Sequence, residues 1–172
     1  MYRFAPIDES MDRTKFECEE EPLTSYFRNY ARQNHDKRIA TCMVCLDQKN
    51  EIVGYFTFAM AQVAKESLPP DVAKGIPGYP LGAIRIGRLA RDKSVRGKGV
   101  GEILLRDSLQ RIVGFAVAKD LQVPAFKFIL VDAKSERAVQ FYEKFGFFRF
   151  VDTPSALVLP LATAIEAYQE GN

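Results

Sequence analysis

The stretch from Ile84 to Phe115 constrains the fold of this chain most, because three kinds of local sequence follow one another in it. Residues 84–91 have the composition of a strand, residues 92–95 form a short polar turn, and residues 96–101 are rich in glycine. Apolar side chains then recur at three- and four-residue spacing, which is typical of an amphipathic helix. The stretch therefore predicts a strand, a glycine loop and a helix in direct succession.

The glycine loop has the properties of an anion site. Gly97, Gly99 and Gly101 let the main chain turn tightly and leave its N–H groups uncovered. The unpaired amides and the positive dipole end of the following helix attract an anion, so the loop suits a pyrophosphate. Arg96 and Lys98 add cationic donors, of which Arg can hold a phosphate bidentately. The alternative is a flexible turn between a strand and a helix.

Two motifs give the chain a family likeness. Residues 96–101 resemble the [RQ]-x-x-G-x-[GA] acetyl-CoA loop of the GNAT acetyltransferases, and residues 141–147 resemble the FYEKFGF helix end of that superfamily. The resemblance implies that Tyr142 is the general acid that protonates the departing thiolate. A core aromatic at the helix end is the other interpretation of Tyr142. The cofactor-binding residues that the resemblance implies are Leu89, Ala90, Arg91, Arg96, Gly97, Lys98, Gly99, Val100, Gly101 and Ser135, the last standing where many members have Asn.

The rest of the chain predicts a single α/β (α+β) domain over residues 1–172. Strands are expected at 2–7, 38–46, 52–60, 125–131, 147–151 and 156–161, and helices at 22–33, 135–146 and 162–169, with Ser135 as N-cap and Gly146 as the stop of the second of these. Prolines and glycines make residues 62–81 either a functional loop or plain connection. This order resembles the GNAT fold, a mixed, mostly antiparallel central sheet of about six to seven strands flanked by helices.

Composition narrows the class of protein. With 172 residues, of which 47% are hydrophobic, the chain can bury a full core. No apolar run approaches the roughly 20 residues that span a bilayer. Three cysteines and the lack of a leader-like first segment predict a cytoplasmic protein. Cys42 and Cys45 form a C-x-x-C, but strand alternation would send them to opposite faces, so no metal is expected.

A second set of motifs resembles one GNAT branch, the acetyltransferase toxins of type II toxin–antitoxin modules. The similar segments are residues 11–27, 67–70, 87–90 and 159–161, with Glu19 where Gly is usual and Met11 where His is common. The resemblance implies an acetyl-CoA-dependent toxin that acetylates the α-amino group of aminoacyl-tRNA and inhibits translation. It also implies a small ribbon-helix-helix antitoxin and a homodimer.

The charge pattern bears on the substrate. A net charge of +2 does not by itself indicate nucleic-acid binding, but several cations cluster. The candidate phosphate contacts are Arg28, Arg32, Lys37, Arg38, Arg85, Arg88, Lys134 and Arg137, each of which is otherwise an ordinary solvated residue.

No residue stands out as a general base, since the single histidine, His35, lies in a polar stretch and is expected at the surface. An α-amine, with a pKa of about 7.7–8.0 against about 10.4 for lysine, needs such a base least. The alternatives are a GNAT enzyme that acts on a small amine or a protein N-terminus, and a non-catalytic GNAT-like binding module.

Overall fold

The computed structural model describes residues 1–118 and 123–170. The strands are β1 Arg3–Pro6, β2 Thr41–Leu46, β3 Ile52–Val63, β4 Leu81–Arg91, β5 Phe128–Asp132, β6 Phe148–Arg149 and β7 Ala156–Pro160. The helices are α1 Glu21–Asn29, α2 Ala31–Asp36, α3 Pro70–Ala73, α4 Val100–Val117, α5 Glu136–Glu143 and α6 Leu161–Glu170, with 3-10 turns at Lys65–Ser67 and Lys93–Val95. The chain divides into two compact units, Met1–Ala59 with Gly87–Ser108 and Met60–Ile86 with Leu109–Asn172.

The strands form a 7-stranded sheet in the order β1-β2-β3-β4-β5-β7-β6. β4 pairs with β5 in parallel, whereas β1 with β2, β2 with β3, β5 with β7 and β6 with β7 are antiparallel. A mixed, mostly antiparallel sheet with flanking helices was predicted from the sequence, and this fold class is confirmed.

Aromatic packing holds the first unit together. The rings of Phe27 and Tyr55 stack with centroids 4.4 Å apart, and Phe16 meets Phe27 edge-on at 4.8 Å. The Tyr55 hydroxyl donates to the carbonyl oxygen of Leu23 at 2.8 Å, so this buried polar group is satisfied. Through these contacts α1 and the irregular acidic segment before it are fixed on β3.

The second unit has its own apolar core. Its buried residues come from β3, β4, β5 and β7, from the proline-rich segment and from the position directly after β6, and they are Val63, Leu68, Ile76, Ala83, Phe128, Leu130, Phe150 and Val158. Ser67 in that segment donates to Asp152 at 2.7 Å, and its carbonyl oxygen accepts from the Val151 N–H at 3.0 Å. The segment is therefore packed, although it is as irregular as its prolines predict. Within residues 1–118 and 123–170, no helix is both long and apolar enough to cross a membrane.

Two element predictions near the N-terminus are wrong in detail. The single helix expected at 22–33 is two helices, because Tyr30 leaves the helical region at φ −124°. The strand expected from Arg38 begins only at Thr41. Arg38 has φ +57°, and the reversal there brings the N–H groups of Ile39 and Ala40 to the carbonyl oxygen of Asn34. A left-handed turn thus occupies the positions that alternate like a strand.

Two strands near the C-terminus are shorter than predicted. β5 begins at Phe128 rather than at 125, and β6 comprises only Phe148–Arg149. The register of β6 on β7 covers only Phe148 and Arg149, although the Phe150 N–H still donates to the carbonyl oxygen of Ala156 on β7. The remaining predicted strands and helices are present, and none of their bounds differs from the prediction by more than three residues.

In the first unit, α4 lies very close to β3 at Gly54. A Cβ atom there would lie 2.8 Å from Cδ1 of Leu104 and 3.1 Å from the carbonyl oxygen of Ala90. Leu104 is fully buried on α4, so the helix rests on β3 where the strand has no side chain. The start of α4, and with it the glycine loop, is therefore positioned by Gly54.

We expect Gly54→Ala to lower the free energy of unfolding by about 1–3 kcal/mol, because the added methyl group overpacks this contact. Gly87→Ala is the matched control, since its Cβ would meet only Thr57 Oγ1 at 3.4 Å. A change of less than about 1 kcal/mol is expected for that control. Urea denaturation measures both, and equal free energies for the two variants would contradict the proposed role of Gly54.

Candidate active site

The glycine loop is open and its backbone is strained in the way that only glycine tolerates easily. Gly97 and Gly99 have φ of +77° and +73°, and a Cβ atom at either would meet nothing within 4 Å. α4 begins at Val100, so the last two residues of the predicted loop are already helical. Val100 itself is fully buried at the start of the helix.

The backbone at the start of α4 matches an anion. The N–H groups of Glu102 and Ile103 donate to the carbonyl oxygen of Gly99. Those of Val100 and Gly101 lie in the first turn, where a helix offers no acceptor of its own. Arg96 and Lys98 are exposed on either side of Gly97. Such donors suit a pyrophosphate, and the binding of acetyl-CoA by these residues stays a prediction.

The end of β4 offers a second set of backbone groups. The Asp92 N–H donates to the carbonyl oxygen of Val53, and the carbonyl of Ala90 also points toward β3. Neighbouring residues of a strand turn their backbone groups to opposite edges, so Leu89 and Arg91 direct theirs away from β3. The pairing of β4 with β5 covers Ala83 to Ile86 and therefore ends before Leu89 and Arg91. Leu89 and Arg91 can therefore hydrogen-bond an extended ligand such as pantetheine.

A cluster that the sequence reasoning missed anchors the turn before the glycine loop. Asp92 Oδ2 accepts from the Glu17 N–H at 2.8 Å, and Asp92 Oδ1 accepts from the Ser94 N–H at 2.9 Å. Lys93 pairs with Glu17 through its side chain and through its backbone N–H. Asp followed two residues later by Ser is a sequence signal for such a turn. The anchoring by Glu17 carries no local signal, because it lies 75 residues from Asp92.

The unusual Glu19 has a partner in this region. Its carboxylate pairs with the guanidinium of Arg91 at 2.9 Å. Burial by itself would raise the pKa of Glu19, but its own N–H and the guanidinium groups of Arg91 and Arg96 hold the pKa below its usual value. The side chain of Arg91 is thus committed to Glu19, so only the backbone of Arg91 remains for a cofactor.

Tyr142 is buried on α5 among aromatic rings. Phe141 and Phe147 contact it edge-on with centroids at 5.3 and 5.7 Å, and only 6% of the residue is exposed. Burial, together with the carboxylate of Asp132, raises the pKa of the Tyr142 hydroxyl above its usual value. The phenol therefore keeps its proton over the whole physiological range, as a proton donor to a thiolate must.

Two glutamates brace the helix that carries Tyr142. Arg149 on β6 bonds Glu136 and Glu143 of α5, each at 2.7 Å. Glutamates seven residues apart share one helix face, a signal that could have revealed this clamp from the sequence. Ser135 is confirmed as the N-cap, since its hydroxyl accepts from the Ala138 N–H at 3.2 Å. Its predicted contact with the cofactor stays a prediction.

The predicted phosphate contacts differ in their present partners. Three bond to neighbours: Arg28 Nε to the Phe16 carbonyl oxygen at 2.8 Å, Arg32 to Asp36 at 3.1 Å, and Arg85 to Asp132 at 3.6 Å. Arg88 lies over the Tyr26 ring, with Cζ 3.5 Å from its centroid. The remaining four are exposed and form no ion pair with any residue that the structure describes: Lys37, Arg38, Lys134 and Arg137. Exposed pairs such as the one between Arg32 and Asp36 are weak, so a phosphate can replace the carboxylate.

The histidine and the cysteines serve structure. His35 is half-buried rather than at the surface as expected, and its Nδ1 accepts from the Cys42 N–H at 3.0 Å. Cys18, Cys42 and Cys45 are free and buried, and burial raises the pKa of both Cys42 and Cys45 to about 12. Among the residues that the structure describes, no group of His, Cys, Asp or Glu side chains could hold a metal ion.

Comparison with known proteins agrees with this geometry. The model of the acetyltransferase (GNAT) family matches residues 4–147. The tRNA-acetylating toxin of Mycobacterium tuberculosis is 34% identical over 142 residues, which cover 82% of this chain and 81% of the relative. AtaT complexed with acetyl-methionyl-tRNAfMet superimposes with a TM-score of 0.85 at 22% identity, covering 98% of this chain and 99% of AtaT.

A second AtaT structure, a mutant toxin bound to the C-terminus of the antitoxin AtaR and to acetyl-CoA, has a TM-score of 0.79 at 19% identity over 98% of this chain and 99% of AtaT. The fold, the glycine loop before α4 and the family match together define an acyltransferase. This chain belongs to the GNAT acetyltransferase family. It is an acetyl-CoA-dependent N-acetyltransferase.

We expect Gly99→Asp to lower the affinity for acetyl-CoA by about 100-fold or more, because a carboxylate would stand among the phosphate donors. Gly99→Asn is the matched control: it has the same shape, tolerates a positive φ comparably, and lacks the charge. A substantially smaller loss is expected for Asn than for Asp. Calorimetric titration with acetyl-CoA measures both, and unchanged affinity in Gly99→Asp would contradict the site.

Proposed function

We propose that this protein is a toxin that acetylates the α-amino group of aminoacyl-tRNA and so inhibits translation. The observation that carries the proposal is the 34% identity to the tRNA-acetylating toxin of Mycobacterium tuberculosis over most of both chains.

We also propose that residues 1–172 act as a single acetyltransferase domain. The family match runs through residues of both compact units, which supports this.

Acetyl-CoA, when bound, supplies the acetyl group as a thioester. In our proposal Arg96, Lys98 and the N–H groups of Val100 and Gly101 hold its pyrophosphate. The backbone of Leu89 and Arg91 orients the extended pantetheine arm. An N–H group near the end of β4 can also polarise the thioester carbonyl, as an oxyanion-hole donor does.

Tyr142 is the proposed general acid. Its Oη holds a proton because burial raises the pKa of the hydroxyl. A thiolate that departs from the acetyl group takes this proton more readily than it takes one from bulk water, provided that the two atoms are within hydrogen-bond reach. Within residues 1–118 and 123–170, no group forms a hydrogen bond with the Tyr142 hydroxyl. The hydroxyl proton is therefore available for transfer to the thiolate. The aromatic contacts of Tyr142 explain its burial but leave the hydroxyl without a structural task.

The acceptor is proposed to be an α-amine. The single histidine is engaged at the start of β2, so it does not serve as a general base. The neutral form of an α-amino group costs roughly 3–4 kcal/mol less at neutral pH than that of a lysine side chain. Aminoacyl-tRNA combines such an amine with phosphates, which suit the exposed cations Lys37, Arg38, Lys134 and Arg137.

Partners and location follow from the same proposal. We propose a small ribbon-helix-helix antitoxin that neutralises the enzyme, a homodimeric assembly, and action in the cytoplasm, where aminoacyl-tRNA occurs. The similar AtaT, which has an antitoxin partner, supports the antitoxin in general terms. Co-expression of the neighbouring small open reading frame with this chain, followed by a growth assay, tests this part of the proposal.

We expect Tyr142→Phe to lower the rate of acetyl transfer by roughly 100-fold or more, the scale of a lost general acid, while acetyl-CoA still binds. The wild-type rate should rise with pH toward about 8 as the α-amine becomes neutral, without a decline up to about pH 10, because the raised pKa keeps Tyr142 protonated. Tyr55→Phe is the matched control. It loses a buried hydrogen bond to Leu23, so stability should fall by about 1 kcal/mol with little change in rate. Wild-type turnover in Tyr142→Phe would show that Tyr142 only fills the core.

Incubation with labelled acetyl-CoA and total tRNA tests the substrate. We expect label to enter charged tRNA only, and less at high salt, because each phosphate that a cation neutralises releases counterions. With lysyl-tRNA the label should sit on the α-amine. Equal label on uncharged tRNA would contradict the proposal. Good turnover of a polyamine or peptide with none on tRNA would instead favour a GNAT enzyme that acts on a small amine or a protein N-terminus.

A further inference from the structure

Arg149 commits its whole guanidinium group to one helix. Toward Glu143 it donates from Nε at 2.7 Å and from Nη2 at 3.2 Å. Toward Glu136 it donates from Nη2 at 2.7 Å and from Nη1 at 3.4 Å. All three nitrogens are used, and each carboxylate receives two bonds. Isolated surface ion pairs are weak, but bidentate pairs that join into a network are the exception. Arg149 therefore ties the first turn and the last residue of α5 to β6.

Apolar burial gives α5 few anchors of its own. The helix has 8 residues, and helices this short are marginal without tertiary contacts. Among the residues of α5, all of which the structure describes, only Val139 and Tyr142 are buried. Glu136 and Glu143 share one face of the helix, and Tyr142 lies about 100° around the axis from Glu143. A bond that fixes Glu143 therefore also fixes the direction of Tyr142.

The helix itself does not explain Glu143. A carboxylate in the first turn, such as that of Glu136, interacts favourably with the helix dipole, whereas one in the last turn interacts unfavourably. The hydrogen bond from Arg149 offsets this effect and lowers the pKa of Glu143, so the carboxylate stays ionised. The residue next to Tyr142 is thus held to β6 by a contact that formation of the helix does not require.

We propose that Arg149 is a positioning residue for acetyl transfer, which sets the rotation of α5 through Glu136 and Glu143 and so places the Tyr142 hydroxyl. The proposal rests on the function proposed above, in which Tyr142 is the general acid. Arg149 needs no contact with acetyl-CoA or with the acceptor. A proton donor must lie within hydrogen-bond reach of the atom that it protonates, and a misplacement of about 1 Å can cost about 100-fold in rate. Loss of the clamp therefore lowers the rate and leaves the affinity for the cofactor unchanged.

Steady-state kinetics with acetyl-CoA and charged total tRNA test this role. Arg149→Gln should lower kcat roughly tenfold, with the Kd for acetyl-CoA and the KM for tRNA unchanged. Arg149→Lys keeps the charge but cannot form the fork, so it should recover only part of kcat. Arg3→Gln is the matched control, because Arg3 is exposed on β1 and donates to Asn50 at 3.0 Å. Its kcat should equal that of the wild type, and a wild-type kcat in Arg149→Gln would overturn the proposal.

A double variant shows whether Arg149 acts through Tyr142. Residues that act on one step through each other have effects that do not add. In the Tyr142→Phe background, the further change Arg149→Gln should therefore alter kcat by less than about twofold. Another tenfold loss in that background would mean that Arg149 affects the rate by a separate route, and the positioning role would be abandoned.

A spectroscopic readout keeps this proposal distinct from the proposed function. The full chain is labelled with 3-fluorotyrosine, and the fluorine resonance of Tyr142 is identified by its loss in Tyr142→Phe. The resonance should shift in folded Arg149→Gln and stay in place in Arg3→Gln, whether or not any tRNA is acetylated. An unmoved resonance in Arg149→Gln, with turnover lost in Tyr142→Phe, refutes the positioning role and leaves the proposed function intact. A moved resonance with wild-type turnover in Tyr142→Phe confirms the clamp and refutes the general-acid role instead.

Discussion

The position of the glycine loop depends on a close contact at Gly54, where there is no room for a side chain. Because Gly54 lacks a Cβ atom, Leu104 can press against β3, and α4 is seated with its first turn beside the end of β4. The positive end of the α4 dipole, the N–H groups of its first turn and the flanking cations Arg96 and Lys98 then have fixed positions. Without this contact between Gly54 and Leu104, the glycine-rich sequence alone would not fix the direction in which the loop presents its N–H groups.

Local patterns predicted the parts of the fold that are determined locally. The strand, glycine loop and helix between Leu81 and Val117 follow from composition and periodicity, and Ser135 caps α5 as its residue type predicts. The error at Arg38 has a different origin. Residues 38–40 alternate like a strand, but hydrogen bonds to Asn34 enforce a left-handed turn that alternation does not reveal.

The candidate site was predictable only in its motif-bearing residues. Glu17, Glu19 and Asp92 hold the loop through pairs more than 70 residues apart, which a single sequence cannot disclose. The family motif drew attention to Tyr142, but its burial and the clamp of Arg149 on α5 emerge only from tertiary contacts.

The state of the three cysteines has a consequence for studying the reaction. All of them are buried, and burial raises the pKa of Cys42 and Cys45 to about 12, which suppresses the reactive thiolate. Acetyl transfer releases one free thiol on coenzyme A per turnover. A thiol-specific chromogen therefore reports coenzyme A released by the folded enzyme with little background from the protein, and a sudden rise in that background reports unfolding.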